Sequence, residues 1–133
     1  MLKKMNKKGF TLAELLIVVA IIAVLVAISI PIFSAQLEKA KEATDMANIR
    51  TAYAEVVAEY LGDSQKHDAS VELKSNLNSD FKSDPNAEIA GIKYSDSKIL
   101  GKGAKSPCEI KVAEDGTVTI NGIKAKTSNI SGK

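Results

Sequence analysis

Cysteine is almost absent: Cys108 stands alone among 133 residues. A single thiol excludes an intramolecular disulfide and a cysteine-based zinc cluster, so the fold must hold by packing alone. Cys108 opens a strand-like run and reads as a small buried apolar residue. Tryptophan is missing and aromatics make up only 5% of the chain, which leaves Ile, Leu, Val and Ala to build the core. Histidine occurs once, at His67, inside a polar stretch. A lone imidazole makes neither a metal site nor a Ser/His/Asp triad without partners, so a solvated side chain is the expectation. No pair of carboxylates stands out as an acid–base couple. Catalytic residues, metal ligands and cofactors are expected to be none, and an enzyme is the weakest function class.

A strong excess of either charge is lacking too. The formal charge is +2, but Lys3, Lys4, Lys7 and Lys8 supply four positive charges before Gly9, and without them the charge is −2. Bulk charge of that size does not mark a nucleic-acid binder. Acids dominate from Glu38 to Ile92 and lysines from Lys93 to Lys133. A solvated surface explains this first, and packing between subunits second.

What the chain does have is one long apolar run. MLKKMNKKG (1–9) is basic and free of acids, and FTLAELLIVVAIIAVLVAISIPIF (Phe10–Phe33) follows. The run has the roughly 20 residues a bilayer-spanning helix needs. The lysines before it would hold that end in the cytoplasm. No turn signal follows Phe33. Leu37, Ala40, Thr44, Ala47, Thr51, Ala54, Ala58 and Leu61 recur at alternating three- and four-residue steps. Ile49, Tyr53, Val56 and Tyr60 widen that apolar face, while Glu38, Lys41, Glu42 and Asp45 take other faces. One helix is thus predicted from about Thr11 to Leu61, with Gly62 as its stop signal.

Beyond it the chain is polar to Glu88, with a short helix suggested by Leu73, Leu77 and Phe81 and broken by Pro85 and Asn86. Strand-like runs follow at about Ile89–Tyr94, Glu109–Ala113 and Thr117–Ile123. In the last two, Ile110, Val112, Val118 and Ile120 alternate with polar residues across a Glu114-Asp115-Gly116 turn. The helix face carrying Tyr53, Val57 and Tyr60 is their expected partner. The predicted fold class is α+β: a long N-terminal helix, apolar in its membrane half and amphipathic in the other, packed on a small antiparallel sheet. The expected divisions are a short basic segment (1–9), an apolar membrane helix (10–33), an amphipathic half-helix (34–62) and a small head (63–133).

Two residues in the apolar run need a physical account. A carboxylate at Glu14 costs roughly 2.5–3.5 kcal/mol deep in a bilayer on insertion scales. Such a residue usually has a partner, yet no cation lies within the run. Cleavage between Gly9 and Phe10 would create an α-amino group with a pKa of about 7.7–8.0, four residues before Glu14. The alternative is that Glu14 lies near the membrane surface and snorkels. Pro31 removes a helix N–H at a cost of roughly 3 kcal/mol in a helix interior. Ser29 is placed to bond freed carbonyls, and a kink or unwound turn is expected. Alternatively Pro31 opens a second helix at its first turn.

The segment KKGFTLAELLIVVAIIAVLVAISIP (Lys7–Pro31) resembles the type IV prepilin signature: basic residues, Gly, Phe-Thr-Leu, and a Glu five residues after the Gly, ahead of an apolar helix. The resemblance implies that a membrane prepilin peptidase cuts after Gly9 and N-methylates Phe10. It implies that Glu14 neutralises the Phe10 amine of an adjacent subunit, and that the helix bends or melts around Pro31. The implied partners are other copies in a homopolymer, the cytoplasmic membrane, the peptidase, and an assembly platform with its ATPase. DNA enters only if the filament serves DNA uptake. The implied product is a surface filament for adhesion, twitching motility or a related task. A pseudopilus of type II secretion or competence shares this N-terminus and is the alternative. The single cysteine departs from pilins that close a C-terminal loop with a disulfide.

A third reading is a small secreted domain behind an ordinary signal peptide, with Ala27-Ile28-Ser29 as its cleavage motif. Against it, Glu14 falls early in the apolar run and the helical pattern continues unbroken. Gly101–Ser106 lacks full phosphate-loop spacing and reads as a flexible turn. Asn129-Ile130-Ser131 fits a glycosylation sequon in a polar tail.

Overall fold

The computed structural model describes residues 11–95 and 98–129. The chain divides into two compact units, Met1–Gln36 and Leu37–Lys133. A single helix, α1 (Leu12–Asp63), contributes to both. It passes through Gly62 and ends one residue later. The left-handed residue that closes it is Ser64 (φ 57°), whose N–H donates to the Tyr60 carbonyl at 2.6 Å. The Asp63 carboxylate takes the next free N–H, that of Gln65, at 2.9 Å.

In the first unit every residue from Leu12 to Gln36 is exposed. Among the described residues α1 is the one helix long and apolar enough to cross a membrane. From Leu12 to Phe33 it rises about 33 Å, close to the thickness of a hydrocarbon core.

The second unit packs the later turns of α1 on a four-stranded antiparallel sheet. Its strands are β1 (His67–Val71), β4 (Cys108–Val112), β5 (Thr117–Ile120) and β6 (Ile123–Asn129), in the order β1-β4-β5-β6. A separate two-stranded ribbon pairs β2 (Glu88–Ile89) with β3 (Ile92–Lys93). The alternation seen in the sequence faces Cys108, Ile110, Val112, Val118 and Ile120 inward, all buried. Cys108 is inert: burial first, then the nearby charges of Asp45 and Glu109, push its thiol up to about 11.

The core face of α1 takes up the Ile49, Val56 and Tyr60 side of the expected apolar face and not its regular ladder. Glu42, Asp45, Ile49, Ala52, Val56 and Tyr60 are buried. The regular ladder from Ala40 to Leu61 lies exposed, with Leu61 at 63%. Two stripes competed for the sheet, and the one with Ile, Val and Tyr removes more apolar area from water than one made largely of Ala and Thr. Tyr60 also donates its hydroxyl to the Glu114 carbonyl at 3.0 Å. Tyr53 and Val57 are only half-buried.

Residues 73–81 form no helix. Backbone donors of residues 74–76, and of Lys82 just beyond, are taken by carboxylates from α1. Asp45 accepts the N–H groups of Lys74 and Ser75 and the Ser75 hydroxyl at 2.7–3.0 Å. Glu42 accepts the Lys82 N–H at 2.9 and 3.1 Å and the Ser83 hydroxyl at 2.8 Å, and Glu38 accepts the Asn76 N–H. Glu42 and Asp45 are 0% exposed, where a solvated face was expected. A buried carboxylate is tolerable because these hydrogen bonds replace its water. The loop bends at Ser75 and turns at Leu77-Asn78, and Leu73, Leu77 and Phe81 become half-buried pegs along it.

Two expected strands are hairpins. Ile89–Tyr94 reverses at Ala90-Gly91, both with positive φ. A Cβ on Gly91 would sit 2.7 Å from the Lys126 Cβ, so only glycine fits. Thr117–Ile123 breaks at Asn121-Gly122 (φ 51° and 82°), the mirror-image turn favoured in tight hairpins. β1 lies in the stretch read as polar, where no strand was expected. It pairs with β4 in register His67↔Val112 to Val71↔Cys108.

Candidate functional site

The apolar half of α1 begins at Thr11, which has the side chain and position of an N-cap. Glu14 N–H donates to the Thr11 hydroxyl oxygen at 3.1 Å, and Thr11 N–H donates back to Glu14 Oε2 at 3.3 Å. This is a capping box: two helix-start donors that hydrocarbon could not solvate are satisfied reciprocally. The partial positive charge of the helix start favours the carboxylate there. The box holds the Glu14 carboxylate back at the Thr11 N–H, at the helix start. An ionised carboxylate has about four acceptor positions, so a donor from outside can still join. The Thr-x-x-Glu spacing was present in the sequence, but the reading centred on Glu14 alone.

Gly9 and Phe10, the expected cleavage and methylation residues, lie outside the described residues. Pro31 lies inside α1, which is helical on both sides of it. Its missing N–H leaves the Ala27 carbonyl without its usual donor. Ser29 does not repair this: its hydroxyl donates to the Leu25 carbonyl at 2.7 Å. The structure does not bring Glu14 and Pro31 together. They stand seventeen positions apart along the helix, about 25 Å. Beside Pro31 a shallow hollow of about 330 Å³ is lined by Leu25, Val26, Ser29, Ile30, Phe33 and Ser34.

The remaining sequence candidates fall elsewhere. His67 is not the solvated side chain expected: it is 23% exposed and contacts Glu59 and Asp63. Gly101–Ser106 is a largely exposed turn, pinned by Gly103 N–H donating to the Leu77 carbonyl and Ala104 N–H to that of Gly101, both at 3.1 Å. Ile130 and Ser131 of the sequon lie outside the described residues. Among the described residues no group of three or more His, Cys, Asp or Glu is arranged to hold a metal.

Residues 4–30 match the family described as the prokaryotic N-terminal methylation motif. A fimbrial protein of Pseudomonas aeruginosa is 30% identical over 92% of this chain and 71% of its own length. The type IV wide pilus major component PilA4 of Thermus thermophilus is 35% identical over 85% of this chain and 79% of its own. No solved structure matches the chain.

Proposed function

This chain belongs to the type IV pilin family, and from that premise we propose that it is a pilus subunit cut after Gly9, methylated on Phe10, and polymerised through the apolar half of α1. The observation that carries this reading is a wholly exposed apolar helix with one carboxylate capped at its start. Lipid covers such a surface before assembly, and the same helices of other copies cover it afterwards. The carboxylate then needs a cation. The Phe10 amine freed by cleavage is the nearest one available, from the same chain or a neighbour. The partners are a prepilin peptidase, the cytoplasmic membrane, and an assembly platform with its ATPase; the product is a surface filament. The relatives' names favour a pilus over a secretion or DNA-uptake pseudopilus.

Pro31 enters this reading as the place where α1 yields. Its carbonyl partner is already missing a donor, so unwinding there sacrifices one hydrogen bond fewer than elsewhere. The exposed Ala and Thr side chains from Ala40 to Ala58 give neighbouring helices a second close-approach surface.

The test uses Glu14→Leu beside wild type. Membrane insertion should persist or improve, because a charge has left the span. Intact mass of the membrane-bound subunit should still show a chain beginning at methylated Phe10. Sheared surface filament should fall at least tenfold relative to total subunit, on the order of a lost buried charge pair. Normal filament yield would remove the pairing role. A mature N-terminus near Ser29 or Ser34 would remove the pilus reading itself.

A further inference from the structure

The last turn of α1 and the first residue of β1 meet at the chain's one imidazole. His67 Nε2 lies 2.8 Å from Asp63 Oδ1, and His67 Nδ1 lies 3.1 Å from Glu59 Oε2. A neutral imidazole has one N–H and one lone pair. Only the doubly protonated ring donates to both carboxylates at once; in either neutral tautomer one carboxylate faces a lone pair. The C-terminal end of a helix, with its partial negative charge, adds to the preference for the cation. β1 is an edge strand held on one side, by β4. Val71 anchors its far end in the core, and the contact to Glu59 and Asp63 attaches its first residue to α1.

We propose that His67 is a proton-operated latch that fastens the edge strand β1 to the C-terminal turn of α1. With the proton in place, both carboxylates are bridged and the segment between Asp63 and His67 is clamped at both ends. Loss of the proton frees one carboxylate and loosens the start of β1. The charged groups around the ring are Glu59 and Asp63 from α1, Lys66 and Asp68 from the flanking chain, and Lys111 from β4, which stands opposite Asp68. Lys111 is itself paired with Glu109 at 3.1 Å, so it opposes the cation weakly. The hydrogen bond to Asp63 raises the imidazole above its ordinary value, burial works against it, and the charges of Asp63, Glu59 and Asp68 raise it further.

Because His67 is the sole histidine, one set of ring resonances in the full chain in detergent micelles follows the latch directly. Wild-type His67 should titrate above 6.5, and Glu59→Gln and Asp63→Asn should each lower that midpoint, the double variant most. Amide-exchange protection of Asp68 to Val71, corrected for intrinsic exchange, should fall about two- to fivefold as the ring deprotonates, the range of an exposed ion pair. In His67→Gln the same amides should show the lower protection at every pH, while those of β5 stay unchanged. An identical midpoint in wild type and both carboxylate variants would overturn the latch. So would β1 protection that stays level while the ring titrates.

Discussion

Asp45 shows how one side chain can set the path of a loop thirty residues away. It accepts from two backbone N–H groups and a hydroxyl while wholly buried. Each charge-assisted bond contributes about 1.5–3 kcal/mol, and donors left bare cost further. Asp45→Ala should therefore destabilise the head by roughly 3–5 kcal/mol, a buried charge network broken from one side. Asp45→Asn should cost less, because one oxygen still accepts. Denaturant melts would give both values, and limited proteolysis should cut first between Leu73 and Ser83. If both variants melt like wild type, the carboxylate does not hold the loop. The sequence could not reveal this role: Glu38, Glu42 and Asp45 look like solvent-side charges until the donors of residues 74–76 and 82 arrive.

At the scale of elements, local chemistry decided more. The apolar span, the helix through Tyr60 and the Glu114–Gly116 turn follow from hydrophobic patterning and turn residues alone. The Asn121-Gly122 turn carries an equally local signal inside a run of strand-forming residues. Asn121 does more than turn: its N–H donates to the Glu109 carbonyl, its side-chain oxygen accepts from the Glu109 N–H, and its amide donates to the Lys105 carbonyl. Gly122→Ala meets open space, so the cost is conformational, about 1 kcal/mol. Asn121→Ala loses the side-chain bonds as well and should cost roughly twice that. Thermal unfolding should rank wild type above Gly122→Ala and that above Asn121→Ala. The reverse ranking would mean the side-chain bonds of Asn121 contribute nothing.

At the scale of the whole molecule, titration sets a stability window. Asp63 and Asp115 are held below their ordinary 3.8, by hydrogen bonds from His67 and from the Thr117 N–H respectively. A depressed carboxylate contributes stability that is present above its unfolded value and lost as pH falls through the folded one. His67 is raised above its ordinary 6.5. Its contribution is full below 6.5 and is lost as pH rises through the higher folded value. The head should thus melt highest between about pH 4 and 6.5, with a decline on each side. His67→Gln should flatten the alkaline decline. It should weaken the acid one only by the share Asp63 contributes, leaving that of Asp115. A wild-type melting profile that keeps rising from pH 6 to 8 would contradict this balance.

By itself the sequence determined the apolar span, the lone carboxylate within it, and the inward alternation of β4 and β5. Each of these is a local pattern, and a local pattern needs no partner to be read. The tertiary structure alone decided which of two stripes on α1 became the core face, because that choice is a competition for one sheet. It alone buried Glu42 and Asp45, because their donors lie some thirty to forty residues further along the chain. It alone made a strand of His67–Val71, because β4 offered a paired edge to a segment whose own residues ask for no structure.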